Sequence, residues 1–500
     1  MSRQPKSARR TLLPLALAAL LAFVSLALGS SSAQAENPAA DPADPADLRH
    51  KALTGSSIQI DPTFPYYHDR SAASIADEIA RNGYSTVHYF VVNERDVDGE
   101  LIDALHDRGI AVWALTLAFG SYSVAGYPAD YPSWQQQLLS ASQPGFFSFS
   151  PWSADYLEFK KASLSALIEE HDFDGIELAE SFLPDWNGFT SGFYGDVGPL
   201  ARAAFEEEYG LEMPEFTDES SPTYYLTDRD RYAKWVDFRV DGVNTFLGNL
   251  VNGANGIREA RRDILVGTWS LAVDAGPDSV ARERELQAVD APAMITAVQP
   301  DIHFIQTNWP DWLKADLPPS YVDAYQPYVE QIRAQHATVP LGIQTDIGST
   351  VATARDRDWL RDFAASARQN GFQTWTGYEF TLGAAMYSEA PNVQAVDCQP
   401  EAKSITLHFQ KRVDVASAAK EGAFVVRTGG ESTTVDPGAV TVDGNLVTLA
   451  LDQIPRGEFA VAIRHVTDTP PLWVFNKTLT PNTVQPGYAV PVACVGRGLQ

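Results

Sequence analysis

Between residues 55 and 392 short apolar runs alternate with longer amphipathic ones. Strand-like runs fall at 57–60, 86–92, 111–117, 175–179, 264–269, 302–306, 341–345 and 374–380. Stretches with apolar residues at helical spacing lie between them, at 71–81, 99–107, 156–170, 231–260, 320–335 and 356–370. Eight strands separated by helices is the count that a closed parallel (β/α)8 TIM barrel requires, because neighbouring parallel strands need a crossover long enough to hold a helix. An open doubly wound sheet is the competing arrangement, but no Gly-x-Gly-x-x-Gly follows the first strand.

After residue 391 the period changes. Runs at 404–409, 423–427, 440–442, 446–451 and 459–466 alternate with period two, between turn signals such as Thr428-Gly429-Gly430 and Asp443-Gly444-Asn445. This predicts a small all-β sandwich over residues 397–500, behind a barrel over 55–392. At the other end, residues 1–35 read as a signal peptide. Arg3, Lys6, Arg9 and Arg10 make its basic start, residues 12–28 its apolar centre and Ala33-Gln34-Ala35 its cleavage site. A membrane anchor is the alternative, but residues 36–54 open with Asp-Pro-Ala repeats and read as a flexible lead-in, which fits removal of the leader better. The mature chain is then expected to be secreted, extracellular or periplasmic, with no membrane partner.

Charge narrows the choice of ligand. The chain has 37 basic and 64 acidic residues, a formal net charge of −27, and the leader itself holds four of the basic residues and no acid. Such a surface repels nucleic acid and anionic membrane and favours neutral or cationic ligands. The two cysteines, Cys398 and Cys494, bracket the last hundred residues, and in an exported chain they read as one disulfide holding both ends of the C-terminal domain. They and the nine scattered histidines show no metal-ligand spacing, so neither a metal nor a cofactor is expected.

The fourth strand organises the candidate chemistry. The helix at 156–170 leads through Asp174-Gly175 into a short apolar run that carries Glu177 inside it and ends in Glu180. In a β/α barrel, chemistry sits at the C-terminal ends of the strands. Those ends carry Asp61 after the first strand, Asn93-Glu94 after the second and Thr116 late in the third. Glu180 ends the fourth, Trp269 the fifth, Gln306 and Asn308 the sixth, Gln344 and Asp346 the seventh, and Trp375 and Glu379 the eighth. Two long connections, 118–154 and 181–230, are rich in aromatics including Tyr122, Phe146, Trp186, Phe189 and Tyr194, which either stack on sugar faces or pack the loops.

Carboxylates, amides and indoles without a Ser/His/Asp pattern or a phosphate loop are the inventory for cleaving glycosidic bonds. One acid protonates the leaving oxygen, one carboxylate attacks or activates water, and amides hold hydroxyls. The catalytic candidates are Glu180, Asp346, Glu379 and Glu177, and the candidates for holding a carbohydrate are Asp61, Asn93, Trp186, Trp269, Gln306, Asn308, Gln344 and Trp375. Structural alternatives stand beside them: Glu177 as the buried partner of an arginine such as Arg239, Asp346 as a helix cap, Glu379 as the partner of a lysine.

The barrel segment resembles the secreted bacterial β/α-barrel glycoside hydrolases. The resemblance rests on Asp172-Phe173-Asp174-Gly175-Ile176-Glu177-Leu178, on Phe205-Glu206-Glu207-Glu208-Tyr209-Gly210-Leu211-Glu212-Met213-Pro214, and on Trp235-Val236-Asp237-Phe238-Arg239. In the retaining clan with Asn-Glu-Pro at the end of strand four, that Glu is the acid/base and a strand-seven Glu is the nucleophile. The matching positions are Ala179-Glu180-Ser181 and Asp346, so only the Glu of the triplet matches and strand seven offers Asp. The resemblance implies an O-glycosyl hydrolase of an extracellular poly- or oligosaccharide, with Glu180 as acid/base and Asp346 or Glu379 as nucleophile or base. The C-terminal segment resembles bacterial Ig-like modules through Phe424-Val425-Val426, Asp443-Gly444-Asn445-Leu446-Val447-Thr448-Leu449 and Val461-Ala462-Ile463. A noncatalytic carbohydrate-binding or cell-surface protein on a degenerate barrel, or a transglycosylase, fits the same residues.

Overall fold

A computed structural model describes residues 45–140, 145–184, 187–314, 316–348, 350–378, 380, 383–473 and 478–494. The expected leader and residues 36–44 of the lead-in lie outside the described residues, as do Trp186 and Glu379. Ala40–Gln500 forms one compact unit.

Eight parallel strands close into a barrel in chain order: β1 Ser56–Ile60, β2 Thr86–Phe90, β3 Ala111–Leu117, β4 Gly175–Ala179, β5 Leu265–Ala272, β6 Ile302–Thr307, β7 Leu341–Asp346 and β8 Thr374–Tyr378. β8 pairs with β1, so the ladder has no open edge. Period two then divides each strand between an inner and an outer face. Trp113, Leu115, Trp269, Ile302 and Phe304 fill the inside, while Ile58, Val87, Val112, Ile176, Val266 and Ile343 meet the surrounding helices. Large rings fit inside because small residues face them. A Cβ on Gly175 or Gly342 would lie 2.3 Å from the ring of Trp113 or Phe304 respectively.

The lead-in is helical where it is described. Helix α1, Pro45–Thr54, buries Leu48 and Ala52 against the inner cluster, and the Ala52 carbonyl accepts from Trp113 Nε1 at 3.1 Å. The expectation of a flexible segment up to residue 54 therefore gives way over this helix, because its apolar positions plug the N-terminal end of the barrel.

Single-turn helices aside, the outer layer comprises α2 Ala72–Arg81, α3 Gly99–His106, α4 Ala154–Glu170, α5 Pro199–Tyr209, α6 Arg229–Asn252, α7 Ser279–Gln287, α8 Ala291–Val298, α9 Gln326–Gln335 and α10 Arg357–Gln369. Six of these starts are capped by side chains that the sequence places in front of apolar periodicity. Ser71 accepts from Ser74 N ahead of α2, and Asp356 accepts from Trp359 N at 2.7 Å ahead of α10. Among the described residues, β8 is followed by only a five-residue helix, α11 Ala384–Ser388, before the C-terminal module.

The C-terminal module is all-β. Its strands are β9 Val393–Gln399, β10 Ser404–Phe409, β11 Phe424–Thr428, β12 Glu431–Thr434, β13 Val440–Asp443, β14 Leu446–Ala450, β15 Phe459–Ile463 and β16 Ala489–Val492. They form two antiparallel sheets, β9-β10-β14-β13 and β12-β11-β15-β16, over one shared core that includes Leu407, Phe409, Phe424, Val447, Phe459 and Ile463. Cys398 on β9 is bonded to Cys494, just past β16, with Cα atoms 5.3 Å apart, so the pairing expected from the sequence joins the first strand to the end of the last.

Barrel and module meet through buried polar groups. Asp77 of α2 is wholly buried and accepts from Arg81, Arg108, His408 Nδ1 and Asn445 Nδ2. Arg412 donates to the carbonyls of Pro65, Tyr66 and His68 in the loop after β1, and Trp473 packs on Phe64 and Tyr66 with ring centroids 5.5 and 6.1 Å away. Burial by itself pushes the Asp77 carboxyl up, but the bonds from His408, Arg81 and Arg108 outweigh it and hold the carboxyl well below the usual range.

The depressed Asp77 makes a signed prediction. Its stabilisation is present above the unfolded pKa of 3.8 and is lost as pH falls below that value towards the folded one. Asp77→Asn is expected to lower stability by about 3 kcal/mol, read as a lower denaturant midpoint at pH 7, since it breaks a buried charged network. Barrel and module should unfold in one transition, and a module that melts separately in the wild type would contradict the docking. Reduction of the disulfide should cost about 2–4 kcal/mol in the same assay.

Candidate functional site

The inner face of β4 carries Glu177, which is 0% exposed. A carboxylate taken out of water costs several kcal/mol unless something answers it. The answer is His88, inward on β2, whose Nδ1 lies 2.7 Å from Glu177 Oε2. His88 Nε2 lies 2.9 Å from Ser57 Oγ, and the Ser57 hydroxyl donates to the Trp375 carbonyl at 2.8 Å. Because Ser57 gives its hydrogen to that carbonyl, its oxygen accepts from His88 Nε2–H, and Nδ1 is turned to Glu177. The imidazole is parallel to the Trp113 ring, with centroids 6.4 Å apart, and is edged by Trp269 and Phe304. Arg239, the alternative partner of Glu177, instead donates to the carbonyls of Gly195, Glu285 and Leu286 and lies 4.2 Å from the Tyr194 ring centroid.

Beside and beyond this hydrogen-bonded chain the strands present inward polar atoms without partners. Gln306 on β6 pairs in register with Gln344 on β7, which pairs with Thr376 on β8. Gln306 Oε1, Gln344 Oε1 and Thr376 Oγ1 are buried, and none has a hydrogen-bond partner among the described residues. Adjacent strands stand about 4.8 Å apart, and the stagger of the closed barrel steps these three atoms along its axis from one strand to the next. Trp269 Nε1 and Glu177 Oε1 are also unpartnered. Buried polar atoms without partners are uncommon and call for a ligand or ordered water.

Glu180 follows the end of β4. It is partly buried, its backbone sits in the left-handed region at φ +48°, and burial pushes its carboxyl up to about 7. A non-glycine residue held there is strained by about 1–2 kcal/mol, a conformation that persists only where its surroundings impose it. The neighbouring Ser181 hydroxyl donates to the Leu178 carbonyl at 2.8 Å, and Leu183 N donates to the Gln287 carbonyl at 2.9 Å, which hold the turn.

The other sequence candidates separate. Asp346, inward at the end of β7 and 3% exposed, accepts through Oδ1 from Gly348 N at 2.6 Å, which ties it to its own loop. Asp61 accepts from Thr63 N and Thr63 Oγ1 at 2.9 and 2.6 Å, and burial raises its carboxyl above the usual range. Asn93 Oδ1 accepts from Arg95 N, and Asn308 supplies a carbonyl to Asp311 N and Trp312 N. Trp375 must be corrected. It lies on the outer face of β8 in the cluster with Tyr84, Phe363 and Phe380, so it does not reach the mouth. Phe189 and Tyr194 pack with Phe216 and Trp235 in a loop cluster. Tyr122, 51% exposed, meets Phe90 and Phe146 with centroids 6.1 and 4.9 Å away, forming an aromatic rim beside β2.

Sequence reasoning passed over His88, Ser57 and Thr376. The signal was present: each is a polar residue in the inward phase of its strand, and period two alone singles them out. Among the described residues no group of His, Cys, Asp and Glu is arranged to hold a metal, and no helix is long and apolar enough to cross a membrane.

No family model matches the sequence, and no curated protein matches it. Similar solved structures include the catalytic domain of a β-amylase from Paenibacillus polymyxa, 12% identical with a TM-score of 0.46, covering 66% of this chain and 92% of that one. A β-galactosidase from Bacillus circulans is 13% identical with a TM-score of 0.45, covering 67% of this chain, which spans about half, 51%, of the enzyme's length. The glycoside hydrolase domain of PelA from Pseudomonas aeruginosa is 9% identical with a TM-score of 0.36, covering 64% of this chain and 94% of that domain.

Glu177→Leu should leave His88 without its acceptor in the barrel interior. Stability is expected to fall by about 3 kcal/mol, measured by urea unfolding, and His88→Leu in the same background should add much less than it costs alone. Independent, additive losses would show that the two side chains do not act as a pair.

Proposed function

We propose that this chain is a secreted glycoside hydrolase that cleaves O-glycosidic bonds of an extracellular poly- or oligosaccharide at the C-terminal mouth of its barrel, with an Ig-like C-terminal domain behind it. The observation that carries the reading is Glu180, a carboxyl at the end of β4 that burial raises to about 7. At neutral pH such a group is protonated in a large fraction of molecules, which is the form a general acid needs. The unpartnered Gln306, Gln344 and Thr376 atoms support a ligand rich in hydroxyls, and the Phe90–Tyr122–Phe146 rim offers faces to the C–H side of sugar rings.

In this mechanism Glu180 gives its proton to the glycosidic oxygen as the bond breaks. A second carboxylate, Asp346 or Glu379, attacks the anomeric carbon or takes a proton from water, and Glu180 returns as base where the pathway is a double displacement. Gln306 and Gln344 accept from sugar hydroxyls through their carbonyl oxygens. Glu177 is already engaged by His88 and serves the floor of the site.

Glu180→Gln should retain folding and lower turnover by about 10²–10⁴-fold on substrates with poor leaving groups, with a smaller loss on activated aryl glycosides. Wild-type kcat/KM should decline as pH rises through about 7, because the acid form of Glu180 is lost there, and the variant should lack that decline. Unchanged turnover in Glu180→Gln would remove it from the mechanism. Saccharide binding with no turnover across a broad panel would replace the enzyme by the noncatalytic binding protein.

A further inference from the structure

Each strand from β1 to β7 is followed by at least one helix of eight residues or more, whereas among the described residues β8 is followed only by the five-residue α11. An eighth helix would lie over β8 and β1, between α10 and α2. That place is a cavity of about 330 Å³, floored by the outward-facing Trp375 and walled on one side by Tyr84. The opposite wall is one face of α10. Arg357, Arg361 and Arg368 recur along it with Leu360 and Ala364 between them, and Arg355 stands at its head.

A slot left by a missing helix would ordinarily be closed by apolar side chains. Here, in a chain with 64 acidic residues against 37 basic ones, it is lined by four arginines and a single acid, Asp356. Asp356 is committed to capping α10. Arg361 is paired with Asp358 and Asp362 on the exposed side of the helix. The other three have no carboxylate within ion-pair distance among the described residues. The Arg355 guanidinium turns away from the slot, donating to the Trp312 carbonyl at 3.1 Å and lying 5.4 Å from the Trp359 ring centroid. Arg357 reaches Asn82 Oδ1 at 3.3 Å.

The spacing describes the ligand. From Arg357 to Arg368 the helix rises about 16 Å, too far for one small anion to span and suited to a chain carrying several anionic groups. Leu360, Ala364 and Trp375 lie between the charges, so the ligand also needs apolar faces. Guanidinium groups recognise carboxylates with directed pairs of hydrogen bonds. We propose that this slot binds an acidic oligosaccharide, its carboxylates on Arg357 and Arg368 and its ring faces on the apolar strip. The choice of a saccharide rests on the glycoside hydrolase reading, while the preference for a multiply charged anion rests on the slot itself. The site lies on the flank of the barrel, away from the mouth, and would hold an acidic polymer while another part of it is cut.

The test is calorimetric titration of the whole protein with a hexauronide and with a neutral hexasaccharide. It is repeated in Arg357→Gln/Arg368→Gln, whose altered side chains are exposed and outside the core. The hexauronide should bind the wild type, at least tenfold more weakly to the double variant, and more weakly with rising salt. The neutral hexasaccharide should show no difference between the two proteins. Equal hexauronide affinity for both proteins, or displacement by inorganic sulfate at matched charge, would overturn the proposal. Hydrolysis of a small aryl glycoside is measured alongside and should be the same in both proteins. If no glycoside is ever hydrolysed but the double variant loses the hexauronide, the slot stands and the enzymatic reading falls. Hydrolysis without slot-dependent binding has the opposite meaning.

Discussion

A carboxylate without water contact sits inside this barrel, and the hydrogen bond between His88 and Glu177 is what allows it to stay there. Closing eight strands on themselves satisfies the backbone and leaves the interior to side chains. Most of that interior is filled by indole, phenyl and aliphatic groups, which would exclude an isolated charge. The Glu177–His88–Ser57 chain ends on a backbone carbonyl of β8, so one polar path crosses β4, β2, β1 and β8. It fixes the rotamers of the floor on which any ligand at the mouth must rest.

Two glutamates three residues apart, one on β4 and one just past its end, thus acquire different characters. Glu177 has a partner and is held within the floor. Glu180 has left the strand, turned through a left-handed backbone, and is raised by burial with no cation to counter it. The difference comes from position alone: the inward phase of β4 delivers Glu177 to His88, and the turn after Ala179 delivers Glu180 to the rim.

The barrel was legible in the chain because its signal is repeated. Eight apolar runs with amphipathic stretches between them leave few arrangements, and β3 and β4 occupy the residues that the pattern predicts. The C-terminal strands were legible for the same reason, as was the disulfide, since two cysteines allow one pairing. The ring of mouth residues was harder. Trp375 and Gln344 both lie near strand ends, but only the phase of the pleat tells that one faces helices and the other the interior, and a strand's phase is set by its neighbours. His88 was missed because a histidine inside an apolar run looks like an ordinary buried polar residue until Glu177 is seen opposite it. The link from Arg412 to the loop after β1 joins residues about 345 positions apart and leaves no local trace.

The grip of Arg412 and Trp473 on residues 64–68 bears on how such a chain can change by recombination. A C-terminal module joined only by a linker can be exchanged between barrels as a cassette. This one completes the packing of the barrel's first loop, supplying hydrogen-bond donors to its carbonyls and a ring to its aromatic pair. The heritable unit is therefore the module together with the segment from Phe64 to Arg70 and the α2 face that carries Asp77. A crossover placed at the apparent boundary near residue 392 would separate partners that fold as one.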